Sequence, residues 1–310
     1  MSEFRFEGRT AIVTGAGGNP SLGRAHALLL GARGANVVVN DIGSDPEQRH
    51  YPGAASAEAV AAEIRAAGGK AIANTDSVAT PEGAEAIVRS ALESFGSVDI
   101  LVNNAGISIG APFDVISPRD IQRHFDINLM GTVWCSRAAW PHMKSAGYGR
   151  IVIITSSSMT GFANQAAYAA SKGGAWSLTR ALAAEGEALG IKVNAVSPGG
   201  YTRLVISTLE DDSPLLAHSK QELPAHLSSP AVAFLAHEDC PVTGECIDSV
   251  GGEVQRCYIA RSTGFNQRDH TIETIGERWQ TVMDTDGALV VGLAAMDTSG
   301  WGLRAYDGAN

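Results

Sequence analysis

Short apolar and β-branched runs recur along the chain, each followed by a turn rich in Gly, Asn or Ser and then by a longer stretch with apolar residues every three or four positions. Thr10–Val13, Asn36–Asn40, the start of KAIANTDSV at Lys70, Val98–Val102, Ile151–Ile154 and Val193–Val196 read as strands. Runs this short, with no polar face, mark strands covered on both sides. Between them RAHALLLGARG, Ala57–Ala67 (ended by Gly68 and Gly69), Ala84–Phe95, Pro118–Ala139 and the Ala-rich segment around Tyr168 carry helical character. The alternation predicts an α/β fold, a doubly wound parallel sheet with helices on both faces. A strand over Glu245–Val250 is expected to close the sheet, so residues 1–254 read as one domain and 255–310 as a C-terminal extension. In the extension RCYIARSTGF has no clear period, whereas Ile272, Ile275, Trp279 and Val282 predict an amphipathic helix over Thr271–Met283. Its apolar face has to be covered, by its own subunit or by a second copy.

Composition narrows the function classes. At 310 residues, with 45% hydrophobic and 18% charged residues, the chain has the make-up of a soluble globular enzyme. A net charge of −10 without a Lys/Arg cluster argues against a nucleic-acid partner. The N-terminus MSEFRFEGRT has no apolar signal region, and the apolar run Ala288–Met296 is about half of a membrane span, so the expectation is a cytoplasmic protein with no membrane partner. Cys135, Cys240, Cys246 and Cys257 form no CxxC pair and the His residues lack ligand spacing, so neither a disulfide framework nor a metal site is expected.

Two stretches carry chemistry. TAIV runs into TGAGGNPSLG and then a helix, the strand, Gly-rich turn and helix in which backbone N–H groups receive a pyrophosphate. Asp41 stands at the end of the next strand, where a carboxylate accepts ribose hydroxyls and repels a 2′-phosphate, favouring NAD over NADP. A Gly-rich loop followed by an acidic residue is also common without this role. The second stretch is TSSSMTGFANQAAYAASK, where Tyr168 and Lys172 fall on one helix face, one turn apart. A phenol with a pKa near ~10 becomes a usable base at neutral pH if the phenolate is favoured by roughly 4 kcal/mol, which an ammonium and a cationic nicotinamide supply together. Ser156, at the end of the strand Ile151–Ile154, brings a hydroxyl to orient a substrate alcohol and stabilise its developing oxyanion. The spacing alone also fits a buried Tyr near a Lys.

Taken in order, TGAGG with Leu22–Gly23, NNAG, Asn128, Ser156, the YxxxK pair and PGxxT resemble the short-chain dehydrogenase/reductase family over residues 5–252. Within it VVVNDIG, GGKAIANTDSV, RAAWPHMKSAGYGRIV and LAHEDC are similar to the (3R)-hydroxyacyl-CoA dehydrogenase parts of multifunctional enzymes. The resemblance implies a Rossmann fold, NAD as cofactor and a homodimer or homotetramer. It implies Tyr168 as acid/base, Lys172 lowering its pKa and binding the nicotinamide ribose, Ser156 positioning substrate, and Asn128 holding a water that links Lys172 to solvent. Gly15, Gly17, Ser21, Leu22 and Gly23 then shape the pyrophosphate loop, and Asp41 binds the adenosine ribose. Asp76 and Ser77 flank the adenine, Asn104, Ala105 and Gly106 line the cofactor, and Pro198 and Thr202 lie against the carboxamide. The extension is implied to pack over the active-site region of a two-fold dimer. Two departures stand out: Asn19, Pro20 and Ser21 lengthen the Gly loop by two residues, and the Ser156–Tyr168 interval is one residue shorter than usual. Counting from Gly149 selects Ser156, while Gly161 three residues on points to Ser158.

Leu204–Leu227 is expected to form a flap over an apolar substrate pocket, with Glu210, Asp211 and Asp212 among its residues and only Arg203 and Lys220 basic. The resemblance favours a 3-hydroxyacyl-CoA; the scarcity of cations for its phosphates favours a free hydrophobic alcohol such as a steroid or terpenoid. A dinucleotide-binding regulator without turnover is the reading from another class, against which the joint presence of Asn128, Ser156, Tyr168 and Lys172 speaks.

Overall fold

The structure, a computed structural model, describes residues 3–43, 56–208 and 212–293. Contacts divide the chain into two units, Met1–Arg256 and Cys257–Asn310. Glu210, Asp211 and the part of the run Ala288–Met296 beyond Leu293 lie outside the described residues.

The first unit is built on β1 (Thr10–Thr14), β2 (Asn36–Asn40), β3 (Lys70–Asn74), β4 (Ile100–Asn103), β5 (Gly149–Ile154), β6 (Ile191–Gly199), β7 (Cys246–Val250) and β8 (Glu253–Cys257). They form one sheet in the order β3-β2-β1-β4-β5-β6-β7-β8, with every pair from β3 to β7 parallel. The order reverses direction between β1 and β4, the switch point outside which such sheets bind ligands. Side chains alternate between faces: Ala11, Val13, Val37, Val39, Ile100, Val102 and Val152 pack against helices α1 (Leu22–Ala32) and α2 (Ala57–Ala66). The other face is covered by α3 (Pro81–Phe95), which also packs on a later helix, α5, described below.

Caps set the helix starts. Ser21, Ser56 and Thr80 each accept a backbone N–H from the residue three further on. The helix expected from Ala84 therefore begins at Pro81, whose fixed φ suits the first turn and whose missing N–H costs nothing there. The expected helix Pro118–Ala139 is longer and not uniform: α4 (Pro118–His124) passes through a π-turn, Phe125–Met130, into α5 (Gly131–Ala146), which carries Pro141 inside it. Helix α6 (Ala166–Gly186) follows β5, and α7 (Arg203–Thr208), α8 (Pro214–Glu222) and α9 (Ser229–Ala236) follow β6. Glu245–Val250 does not close the sheet. Gly251 and Gly252, at φ +59° and +91°, turn the chain straight back into β8, which forms the edge.

In the second unit β9 (Ala260–Arg261) pairs antiparallel with β10 (Leu289–Val290). The expected helix is two short ones, α10 (Ile272–Glu277), capped by Thr271, and α11 (Trp279–Met283), broken at Arg278. Ile272, Ile275 and Trp279 are exposed at 85%, 37% and 50% and Val282 is half-buried, so most of the face expected to be covered is open. Among the described residues no helix is long and apolar enough to cross a membrane.

Candidate active site

A cleft of about 650 Å³ opens at the carboxyl edge of the sheet. Its first wall is the Gly loop after β1. Gly15 sits at φ +64°, and a Cβ there would stand 2.7 Å from Ala105 Cα; at Gly23 it would meet Asn104 Nδ2 at 2.4 Å. Both positions exclude any side chain. The loop is fastened to the turn after β4: Asn104 Nδ2 donates to the carbonyls of Thr14 (2.8 Å) and Gly15 (3.0 Å), while Thr14 Oγ1 accepts from the N–H groups of Asn104 and Ala105, both at 3.1 Å. Ser21 caps α1 and donates to the Gly18 carbonyl at 2.9 Å. Asp41, 8% exposed, accepts from Gly17 N–H (2.8 Å) and Gly43 N–H (2.9 Å), each through a different oxygen. Both oxygens keep a lone pair for further donors. This bare-backbone cradle with a carboxylate beside it fits a dinucleotide.

Toward β5 the cleft meets Ser156, Tyr168 and Lys172. Lys172 is 4% exposed; its Nζ donates to the Ile154 carbonyl at 2.7 Å and lies 5.9 Å from the centre of the Tyr168 ring. Burial lowers its pKa to about 8. The Tyr168 ring also meets the His124 ring edge-on, 6.1 Å between centres. His124 is held by the Asp120 carbonyl at Nδ1 (2.7 Å) and by Ile109 N–H at Nε2 (3.0 Å), and burial moves its pKa down. Asn128, on the π-turn, clamps Ile107: Oδ1 accepts its N–H (2.8 Å) and Nδ2 donates to its carbonyl (3.0 Å) and to Ser171 Oγ (3.0 Å). The Asn128 backbone carbonyl accepts from Thr132 Oγ1 at 2.9 Å.

Of the residues singled out from sequence, Gly15, Ser21, Leu22, Asp41, Ser77, Asn104, Ala105, Gly106, Ser156, Tyr168, Lys172, Pro198 and Thr202 line this one cleft. Gly17, Gly23 and Asn128 support it from behind: a Cβ on Gly17 would strike Asp41 Cβ at 2.8 Å, and one on Gly106 would stand 3.2 Å from Asn128 Oδ1. Asp76 is exposed and off the wall, its carboxylate taken by Asn74 Nδ2 (2.8 Å) and its carbonyl by Asn40 Nδ2 (2.9 Å). Ser158 lines the cleft as well as Ser156, so position does not separate them. Sequence reading missed Gln165 and Phe162 in the wall. Arg203, noted only as a flap cation, lays its guanidinium against Gly18, 2.7 Å from where a Cβ would stand.

Comparison with known proteins places this architecture. The short chain dehydrogenase family model matches residues 9–212. Peroxisomal multifunctional enzyme type 2 of Mus musculus is 37% identical over 316 residues, covering 96% of this chain and 41% of that protein, so the chain spans less than half of that relative's length. A putative short-chain type dehydrogenase/reductase of Mycobacterium tuberculosis is 37% identical over 287 residues, covering 92% of this chain and 97% of that protein. The structure of full-length peroxisomal multifunctional enzyme type 2 from Drosophila melanogaster superposes with a TM-score of 0.73 at 32% identity, covering 92% of this chain and 47% of that one. The chain belongs to the short-chain dehydrogenase family.

Proposed function

We propose that the protein is an NAD-dependent dehydrogenase that interconverts a secondary alcohol and a ketone, on a 3-hydroxyacyl-CoA-like substrate, with Tyr168 as the acid/base. One observation carries this: a single cleft runs from Asp41 after β2 to Ser156 and Tyr168 beside β5. In the order β2-β1-β4-β5 those strands lie three spacings apart, roughly 14 Å, which leaves room for an extended dinucleotide laid across the switch point. NAD when bound supplies the hydride acceptor and a positive ring close to the phenol. Tyr168 takes the alcohol proton in oxidation and returns it in reduction. The Lys172 ammonium favours the phenolate, and Ser156 donates to the substrate oxygen as charge develops. Asp41 accepts the ribose hydroxyls and repels a 2′-phosphate.

The resemblance of VVVNDIG, GGKAIANTDSV, RAAWPHMKSAGYGRIV and LAHEDC to hydroxyacyl-CoA dehydrogenase segments supports the acyl-thioester substrate. A free hydrophobic alcohol is favoured by a different observation, the apolar lining of Phe162, Leu204, Val205, Leu215, Leu223 and Val250. Incubation with NAD and a panel of 3-hydroxyacyl-CoA thioesters and free secondary alcohols, followed by cofactor reduction, separates the two. Absence of turnover across the panel would overturn the catalytic reading.

A further inference from the structure

The mechanism uses Ser156 and leaves the two side chains linked behind it, Ser158 and Gln165, without a role. Ser156 Oγ stands 3.2 Å from Ser158 Oγ, and Ser158 Oγ stands 2.9 Å from Gln165 Oε1; all three residues line the cleft. In this arrangement Ser156 donates to Ser158 and Ser158 donates to the Gln165 oxygen. The Ser156 proton is therefore directed away from any bound substrate, and its oxygen also accepts Ser158 N–H at 3.2 Å.

That polarity is the wrong one for the reaction. An alcohol has a single hydroxyl proton, which goes to Tyr168, so Ser156 must donate to the alcohol oxygen. A ketone oxygen only accepts, so Ser156 must donate there too. We propose that Gln165 is a positioning residue that reverses the relay. Turning its amide by half a turn replaces Oε1 with Nε2 at the same place, because the two ends of an amide are nearly equal in shape and opposite in hydrogen-bonding sense. Nε2 then donates to Ser158, Ser158 donates to Ser156, and the Ser156 proton is left for the substrate oxygen. Each link polarises the next, so the reversed chain strengthens the final donation. A primary amide offers both senses at one position without any change of protonation. The inference rests on the proposed roles of Tyr168 and Ser156.

Two variants, Gln165→Glu and Gln165→Ala, compared in ketone reduction by NADH, test it. A carboxylate accepts only, so Gln165→Glu holds the relay in its resting sense; alanine merely removes one acceptor and leaves both hydroxyls free to turn. The expected order of kcat at neutral pH is wild type, then Ala, then Glu, with the Glu variant down by at least about tenfold. Lowering the pH protonates the introduced carboxyl, which becomes a donor, so the Glu variant should regain rate on acidification where the Ala variant does not. A merely space-filling Gln165 would give the reverse order, since Glu is nearly isosteric and Ala is not. That order, or a Glu variant without acid recovery, overturns the relay. A crystal structure of the wild type with NADH tests the contact without any turnover: both links within hydrogen-bond distance are expected, and a Gln165 side chain turned to solvent would overturn the proposal. A wild type inactive on every substrate tried would count against the proposed function, while the crystal structure still decides the relay.

Discussion

A phenol is a weak base at neutral pH, and under the proposed mechanism Tyr168 is helped by Lys172, one turn further along the same helix. Lys172 reaches the cleft floor with a carbonyl accepting one of its protons, and burial lowers its pKa to about 8. Tyr168→Phe should therefore abolish hydride transfer while leaving NAD binding nearly intact, because the hydroxyl matters only as charge moves. Turnover together with cofactor titration checks this; a variant keeping more than about a tenth of the wild-type rate, a loss under ~1.4 kcal/mol, would refute the role. Asp41→Ala should weaken NAD, remove the repulsion of a 2′-phosphate and so narrow the preference for NAD over NADP in kcat/KM. A wild type preferring NADP would sink the assignment. Tyr168 and Lys172 were legible because a helix converts spacing into proximity. Gln165 was not, because it meets Ser158, itself a candidate in the sequence, across a short 3₁₀ turn, Ser157–Thr160, that no periodicity announces.

Helices differ in how much of their making shows in the chain. The strands β1, β2 and β5 were visible as unbroken apolar runs because both of their faces are buried. The π-turn in the middle of α4–α5 was not, since one extra residue per turn leaves the apolar pattern almost unchanged. Yet it carries Asn128, whose side chain holds both the N–H and the carbonyl of Ile107. Helix α1 hides a further dependence. His26, buried against Ser229 at 2.8 Å, has its pKa lowered by burial from 6.5 to about 3. The unfolded chain takes up this proton near pH 6.5 and the folded chain does not, so stability falls as pH drops below about 6.5, by roughly 1.4 kcal/mol per pH unit, until about pH 3. Urea denaturation between pH 4.5 and 6.5 should show that slope diminished in His26→Gln, which keeps a hydrogen-bonding group and does not titrate; equal slopes would refute it.

At the scale of the molecule, the division after Arg256 predicts that a chain ended there keeps the sheet and the dinucleotide site. The bare face of Ile272, Ile275 and Trp279 suits an interface core. Removing it should weaken the proposed homodimer or homotetramer and raise KM; sedimentation and kinetics on the shortened chain decide, and a normal assembly with unchanged KM would leave the extension without that role. The sheet order has another consequence. Ala11 in β1 pairs with Ile100 in β4, so the central seam joins segments made far apart in time on the ribosome. If β1, β2 and β3 pair as they emerge, the other edge of β1 stays open until β4 is made. Folding of such a sheet is slow because loop closure precedes the contacts that reward it, and for that interval the nascent chain carries the open strand edge on which aggregation and chaperone binding both act.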